Sequence, residues 1–228
     1  MGVVELTTLG WDGYAARWAS LHGVDPRTTP QPFRGWLRLS YGLARPFARL
    51  GATPGILLAA SLALSVVVPV FAVFGGWWTL GGAVAVLLAV VADAVSRAVA
   101  VLTEQITRLG YVYAALVERL SEAAWLGALW LLGAPGPVIV ACGAATWFQE
   151  YLRTRTAETG AVLVDGSVLG ERSPRVAVAV LGFVLCGLAG AASDTLARGA
   201  AAFVAAVWLL VAVLGLTHVF TAVRRAIG

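Results

Sequence analysis

The 228-residue chain contains no lysine and no asparagine, and only 12% of its residues are charged. Soluble domains carry about 25% charged residues, so this shortage of charge favours an integral membrane protein. A soluble all-α bundle is the alternative, and the same shortage argues against it. With 60% apolar residues and a mean hydropathy of +0.85, the composition indicates an all-α membrane protein.

Cysteine is scarce as well. Cys142 and Cys186 both lie in apolar stretches, which favours packing between helices over a disulfide or a metal site. Gly182, Gly187 and Gly190 are expected to be helix-packing points for the same reason of small size. The first thirty residues lack an apolar run, so we expect no cleavable signal peptide.

All sixteen basic residues are arginine, and most lie where apolar stretches end. Positive-inside topology and anionic lipid headgroups produce this distribution. The net charge of +4 therefore does not indicate a nucleic-acid partner, and membrane lipids are the expected partners.

Residues 1–50 are expected to form a cytoplasmic N-terminal segment with a juxtamembrane amphipathic helix. At about 100° per residue, the arginines between residues 32 and 50 fall on one stripe, opposite a face of large apolar side chains. The stripe contains Arg34, Arg38, Arg45 and Arg49, and the apolar face contains Trp36, Leu39, Leu43, Phe47 and Leu50. This pattern is typical of a helix lying in the membrane surface. An ordinary amphipathic core helix is the alternative.

Residues 51–228 are expected to form a domain of six transmembrane helices. The apolar stretches, each near the ~20 residues that a bilayer requires, lie at residues 55–74, 77–101, 109–133, 136–155, 175–193 and 199–222. Charge-poor turns alternate with arginine-rich connections. An even number of spans with arginine-rich ends predicts a multi-pass protein of the inner membrane, with both termini in the cytoplasm.

Acidic side chains interrupt two of these stretches. Asp93 and Glu118 lie in apolar, helix-forming segments, where a charge costs several kcal/mol unless it is paired, metal-bound or facing water. Helical spacing places two groups on one face each: Asp93, Ser96, Arg97 and Ala100, and then Gly110, Ala114, Glu118 and Glu122. A short connection makes the two helices antiparallel neighbours, so we expect Asp93 to approach Glu118.

The spacing of these residues resembles the motif of the CDP-alcohol phosphatidyltransferase family. That motif is D-x-x-D-G-x-x-A-R, eight residues, and then G-x-x-x-D-x-x-x-D. Without a gap, the chain has at these positions Asp93, Ser96, Arg97, Ala100, Val101, Gly110, Ala114 and Glu118. The segment from Gly51 to Pro54 resembles the family's G-x-x-P entry to the first span, and the segment from Glu171 to Arg175 resembles its E-R-x-x-R.

The resemblance implies an activity and a set of site residues. Family enzymes bind Mg²⁺ or Mn²⁺ through the motif acids and transfer a phosphoryl-linked group from a CDP-linked donor, such as CDP-diacylglycerol, to an alcohol with loss of CMP. On this resemblance Asp93 and Glu118 hold metal, and Glu118 is also the general base. The nucleotide lies against Asp93, Ser96, Arg97, Ala100, Gly110 and Ala114. Arg153, Arg172 and Arg175 either bind the acceptor's phosphate or anchor the helices by the positive-inside rule. The family also implies a homodimer.

The chain departs from the motif where metal is bound. Ser96 and Ala114 stand in place of acids, Arg97 in place of a glycine and Val101 in place of the arginine. Because two metal ions need several oxygen ligands between them, these changes argue against ordinary two-metal catalysis. We predict that the Arg97 guanidinium occupies or borders the former metal site and bridges Asp93 and Glu118. An Asp93–Arg97 ion pair with no further role is the simpler alternative.

Three functions remain open on the sequence. The first is a protein without metal, either a pseudoenzyme or a binding or assembly subunit. The second is an enzyme with one metal ion held by Asp93 and Glu118. The third is a small transporter or scaffold. Metal-dependent binding of a CDP-lipid distinguishes the second from the others.

The topology can be tested by cysteine labelling. In a background with Cys142 and Cys186 replaced by alanine, single cysteines near residues 76 and 165 are expected to react with an impermeant thiol reagent from opposite sides of intact cells. The first position lies in a charge-poor turn and the second in an arginine-rich connection. Labelling of both positions from one side would contradict the six-span topology.

Overall fold

In a computed structural model, residues 9–159 and 172–227 are described, and this part of the chain is helical without strands. Its eight helices are α1 (Trp11–His22), α2 (Gln31–Arg49), α3 (Pro54–Phe74), α4 (Trp78–Leu102), α5 (Arg108–Leu131), α6 (Gly136–Glu158), α7 (Arg172–Ala192) and α8 (Asp194–Ile227). The all-α prediction is confirmed for these residues.

Four stretches of helix in the described residues are long and apolar enough to cross a membrane. They are Pro54–Phe74, Trp78–Leu102, Pro174–Ala192 and Asp194–Arg225, and they correspond to the first, second, fifth and sixth predicted spans. The third and fourth predicted spans are the helices α5 and α6. These two are less apolar because charged residues interrupt them: Arg108, Glu118, Arg119, Glu122, Glu150, Arg153, Arg155 and Glu158. The protein is a membrane protein, and among residues 9–159 and 172–227 four helices meet this criterion. The count of six spans stays a prediction.

The chain divides into two compact units. The first comprises Met1–Ala63 and Leu88–Glu118, and the second comprises Leu64–Leu87 and Arg119–Gly228. The core of the first unit lies between α1, α2 and the last turns of α4. Its buried side chains include Tyr14, Trp18, Phe33, Leu37, Tyr41, Val95, Val99 and Leu102. Because helical side chains repeat every 3.6 residues, the face of α4 that carries Asp93 and Arg97 is opposite this core.

Helix α1 is held to the rest of the first unit by contacts distant in sequence. The Tyr41 hydroxyl donates to the Leu9 carbonyl at 2.6 Å, and Trp18 packs edge-on against Phe33 at 5.5 Å. Arg17 forms an ion pair with Glu104, in the connection between α4 and α5. Burial raises the pKa of the Tyr14 hydroxyl above its ordinary value. The N-terminal segment is thus an integral part of the packing around α4.

Helix α2 has three faces. The predicted lipid-facing side chains are exposed, Leu39 by 51% and Phe47 by 39%, and the arginines lie on a second face. The third face, which includes Phe33, Leu37 and Tyr41, is buried in the core. Helix α2 therefore packs on its own unit and also leaves an apolar surface uncovered, as a helix at a membrane surface requires.

In the second unit, α8 packs against both α6 and α7. A Cβ at Gly182 would lie 2.4 Å from Val204 Cγ1, and one at Gly190 would lie 3.2 Å from the Gly76 backbone. The predicted helix-packing role of these glycines is confirmed. Cys142 and Cys186 are buried free thiols, and Cys142 Sγ lies 3.4 Å from the Ala205 carbonyl oxygen.

If α2 lies on the membrane surface as expected, the stability of the protein depends on anionic lipid. Replacing the four arginines of its stripe with glutamine is expected to remove most of the stability difference between anionic and neutral nanodiscs. Each arginine near an anionic surface contributes about 1 kcal/mol. The thermal midpoint of the full chain in both nanodiscs measures this. The control is Arg27→Gln, since Arg27 is exposed and paired with Asp25. An unchanged difference in the four-arginine variant would contradict the prediction.

Candidate functional site

Arg97 joins the two acids that the motif spacing brings together. Its Nη2 lies 3.0 Å from Asp93 Oδ2 and 3.2 Å from Glu118 Oε2. The carboxylates are largely buried, with side-chain exposures of 7% and 17%, whereas that of Arg97 is 55%. Asp93 and Arg97 are one turn apart on α4, and Glu118 lies on α5. The predicted bridge between the two acids is present.

The other motif positions have local roles in the first unit. Ser96 is buried, and its hydroxyl donates to the Pro54 carbonyl at 2.7 Å, which fixes α4 against the first turn of α3. Val101 lies in the hydrophobic core. Ala100 and Ala114 are half-buried, and the Gly110 amide donates to Thr107 Oγ1 at 2.9 Å at the start of α5. Side chains at the motif positions thus supply carboxylate oxygens only from Asp93 and Glu118.

This donor set does not fit a pair of divalent ions. Within the described residues, no group of three or more His, Cys, Asp or Glu side chains could hold a metal. Ala114 offers no ligand atom, and the Ser96 hydroxyl already donates to Pro54. The point at which the two carboxylates converge is occupied by a guanidinium nitrogen.

A second buried ionic cluster lies in the second unit. Arg175 Nε donates to Glu122 Oε1 at 3.0 Å, and its Nη1 donates to Gln149 Oε1 at 3.3 Å. Arg119 Nη1 lies 3.0 Å from Glu122 Oε2. The side chains of Arg175 and Glu122 are only 5% and 2% exposed. The cluster connects α5, α6 and α7 through charged hydrogen bonds.

A mainly apolar cavity of about 270 Å³ adjoins this cluster. It is lined by Gln149, Pro174, Arg175, Val211, Leu214 and Gly215. A Cβ at Gly215 would lie 3.0 Å from Gln149 Nε2, so the glycine leaves room for that amide. The guanidinium and the amide provide the polar groups of this cavity.

The predicted phosphate-binding arginines have different surroundings. Arg175 is buried and paired with Glu122, a partnership that the sequence analysis missed. Arg153 is half-buried near the end of α6. Arg172 begins α7, but its side chain and the whole of Glu171 lie outside the described residues. A signal for the missed pair was present, since an acid one turn beyond Glu118 in an apolar helix requires a cation.

Comparisons with known proteins identify similar chains, although no family model matches. The phosphatidylinositol phosphate synthase of Mycolicibacterium smegmatis is 30% identical over an alignment of 156 residues, and the match covers 64% of this chain and 68% of that protein. The crystal structure of the Mycobacterium tuberculosis phosphatidylinositol phosphate synthase with manganese and citrate has a TM-score of 0.60. It is 22% identical, and the match covers 83% of this chain and 90% of that one. The crystal structure of that synthase with CDP-DAG bound has a TM-score of 0.57 and is 23% identical, over 81% of this chain and 94% of the other.

The buried pair in the second unit gives a stability prediction. Arg175→Gln is expected to destabilise the protein by about 3–5 kcal/mol, because it leaves the Glu122 carboxylate buried without this cation. Arg155→Gln is the matched control, since Arg155 pairs with Glu158 at the surface and such pairs contribute about 0–1 kcal/mol. Unfolding in a mild detergent measures both. Equal losses would contradict the assigned role of the buried pair.

Proposed function

The chain belongs to the CDP-alcohol phosphatidyltransferase family, and we propose that it is a binding member that keeps a site for a CDP-linked lipid but lacks two-metal catalysis. The donor that we propose is CDP-diacylglycerol, which is bound in one of the similar solved structures. The protein is linked to phospholipid synthesis, and we propose that it acts there as a pseudoenzyme or as a binding or assembly subunit.

One observation carries this proposal, namely the position of Arg97 between Asp93 and Glu118. A divalent ion held by the same two carboxylates would lie within about 4 Å of the guanidinium. Two unit charges at that distance repel by about 4 kcal/mol at an effective dielectric constant near 20, and a doubly charged ion is repelled about twice as strongly. Family chemistry that depends on a metal pair is therefore disfavoured at this site.

The second candidate function is a transferase with a single ion. Asp93 Oδ2 and Glu118 Oε2 lie 3.0 and 3.2 Å from the same nitrogen atom, Arg97 Nη2, so the two oxygens converge on the position of that atom. Over half of the arginine side chain is exposed. An outward rotation of Arg97 would free this point for one Mg²⁺ or Mn²⁺. A similar solved structure contains manganese, which supports this candidate as well.

We propose that the protein crosses the inner membrane of the cell six times and that both of its termini lie in the cytoplasm. At 1.5 Å per residue, α5 and α6 are about 36 and 34 Å long, enough to cross a bilayer core of about 30 Å. The pairing of Glu122 with Arg119 and Arg175 lowers the cost of charges within α5. A homodimer is proposed from the family alone.

The acceptor site that we propose includes Arg153, Arg172 and Arg175, of which Arg175 lines the cavity of the second unit. The lining of that cavity by Arg175 and Gln149 supports this proposal. Glu122 already neutralises part of the Arg175 charge, so an acceptor phosphate would have to share that guanidinium.

A turnover assay tests the proposed function. The protein is incubated with radiolabelled CDP-diacylglycerol, a panel of alcohols and Mg²⁺ or Mn²⁺, and CMP release is measured. We expect no release above background, because the residues do not hold a metal pair. Release that depends on metal would overturn the binding role and favour the single-ion transferase.

A matched pair of variants isolates the charge of Arg97. The triple variant Ser96→Asp, Arg97→Gly and Ala114→Asp is expected to gain Mn²⁺ binding, measured as a metal-dependent rise in the thermal midpoint. The double variant that keeps Arg97 is expected to gain little, because its guanidinium still repels the ion. Equal metal binding by the two variants would show that Arg97 does not exclude metal.

A further inference from the structure

The hydrogen bonds of Arg97 leave part of its guanidinium facing outward. Nη2 donates to both Asp93 and Glu118, which uses the two hydrogens of that nitrogen. A guanidinium has five N–H donors, and the three on Nε and Nη1 donate to no residue in the described parts of the chain. Since 55% of the side chain is exposed, these donors are accessible to a ligand.

The two carboxylates hold this guanidinium in place. Asp93 and Glu118 are themselves largely buried, and Val95 and Val99 fix the opposite face of α4 in the hydrophobic core. A cation whose geometry is fixed in advance loses little conformational entropy when it binds an anion. Arg97 is therefore a preorganised hydrogen-bond donor on the face of α4 that carries Asp93.

The planar guanidinium suits phosphate oxygens, and charge-assisted hydrogen bonds to phosphate are among the stronger polar contacts in proteins. We infer that Arg97, positioned by Asp93 and Glu118, is the cation that binds a phosphate ester at this site, so that ligand binding needs no divalent metal. This inference rests on the proposed function for the identity of the lipid, but it concerns how the phosphate is bound. It differs from the family pattern, in which metal ions supply the positive charge.

Direct binding measurements in EDTA test the inference. The full chain in nanodiscs is titrated with CDP-diacylglycerol, phosphatidic acid, CDP and diacylglycerol, each with excess EDTA and again with Mn²⁺. We expect CDP-diacylglycerol to bind equally well in both conditions. Comparing phosphatidic acid with CDP shows whether the site recognises a lipid phosphate or a nucleotide phosphate. Diacylglycerol, which has no phosphate, is expected to bind at least tenfold more weakly than CDP-diacylglycerol.

Variants separate ligand binding from a purely structural role. Arg97→Gln is expected to weaken CDP-diacylglycerol binding in EDTA by about tenfold or more, the effect of losing a charged hydrogen bond. The double variant Asp93→Asn with Arg97→Gln also removes one of the buried carboxylate charges, so it is expected to recover stability while binding stays weak. Arg27→Gln is the control, since Arg27 lies in the same unit and pairs with Asp25 at the surface, and it is expected to bind as the unchanged protein does.

Two results would overturn the inference. Binding that requires Mn²⁺, or binding in EDTA that persists in the stable double variant, would show that Arg97 does not hold the phosphate. Either result leaves the proposed CDP-lipid binding intact. Failure of the proposed function has a separate signature, namely metal-dependent release of CMP in the turnover assay.

Discussion

An ionised side chain within an apolar helix is stable where an opposite charge accompanies it, and this requirement shapes both polar clusters of the protein. In the first unit, one nitrogen of the Arg97 guanidinium forms ion pairs with both Asp93 and Glu118. In the second unit, Arg175 and Arg119 form ion pairs with Glu122. The clusters differ in accessibility. Arg97 is half exposed, whereas Arg175 is almost fully buried and contributes first to stability.

The packing of α4 determines where the first cluster is presented. One face of this helix lies in a core with α1 and α2, and the opposite face carries Asp93 and Arg97. Val101, at the position of the family's motif arginine, belongs to the core face. Arg17 on α1 also pairs with Glu104 in the connection between α4 and α5. The N-terminal helices thus help to position the two halves of the motif.

A fixed arginine and a bound metal ion give a site different chemistry. The guanidinium stays charged at any physiological pH, and its location does not depend on metal concentration. It donates hydrogen bonds, but it cannot act as a Lewis acid or lower the pKa of a bound water as a metal ion can. On the proposed function, substituting one for the other preserves attraction for phosphate while removing much of what family catalysis requires. A binding role is the function that these residues support best.

The sequence alone determined the membrane class, the helical fold and the approach of Asp93, Arg97 and Glu118. These follow from local properties. Composition decides whether a chain enters the membrane, and a short connection between two helices of fixed period brings the faces that carry the motif residues together. Other features were decided by tertiary packing, such as the buried face of α2, the hydrogen bond from Ser96 to Pro54 and the pairing of Glu122 with Arg175. Each depends on contacts between residues that are far apart in the sequence. Periodicity shows which side of a helix is polar, but only the packing of the helices decides which residue from another helix lies opposite it.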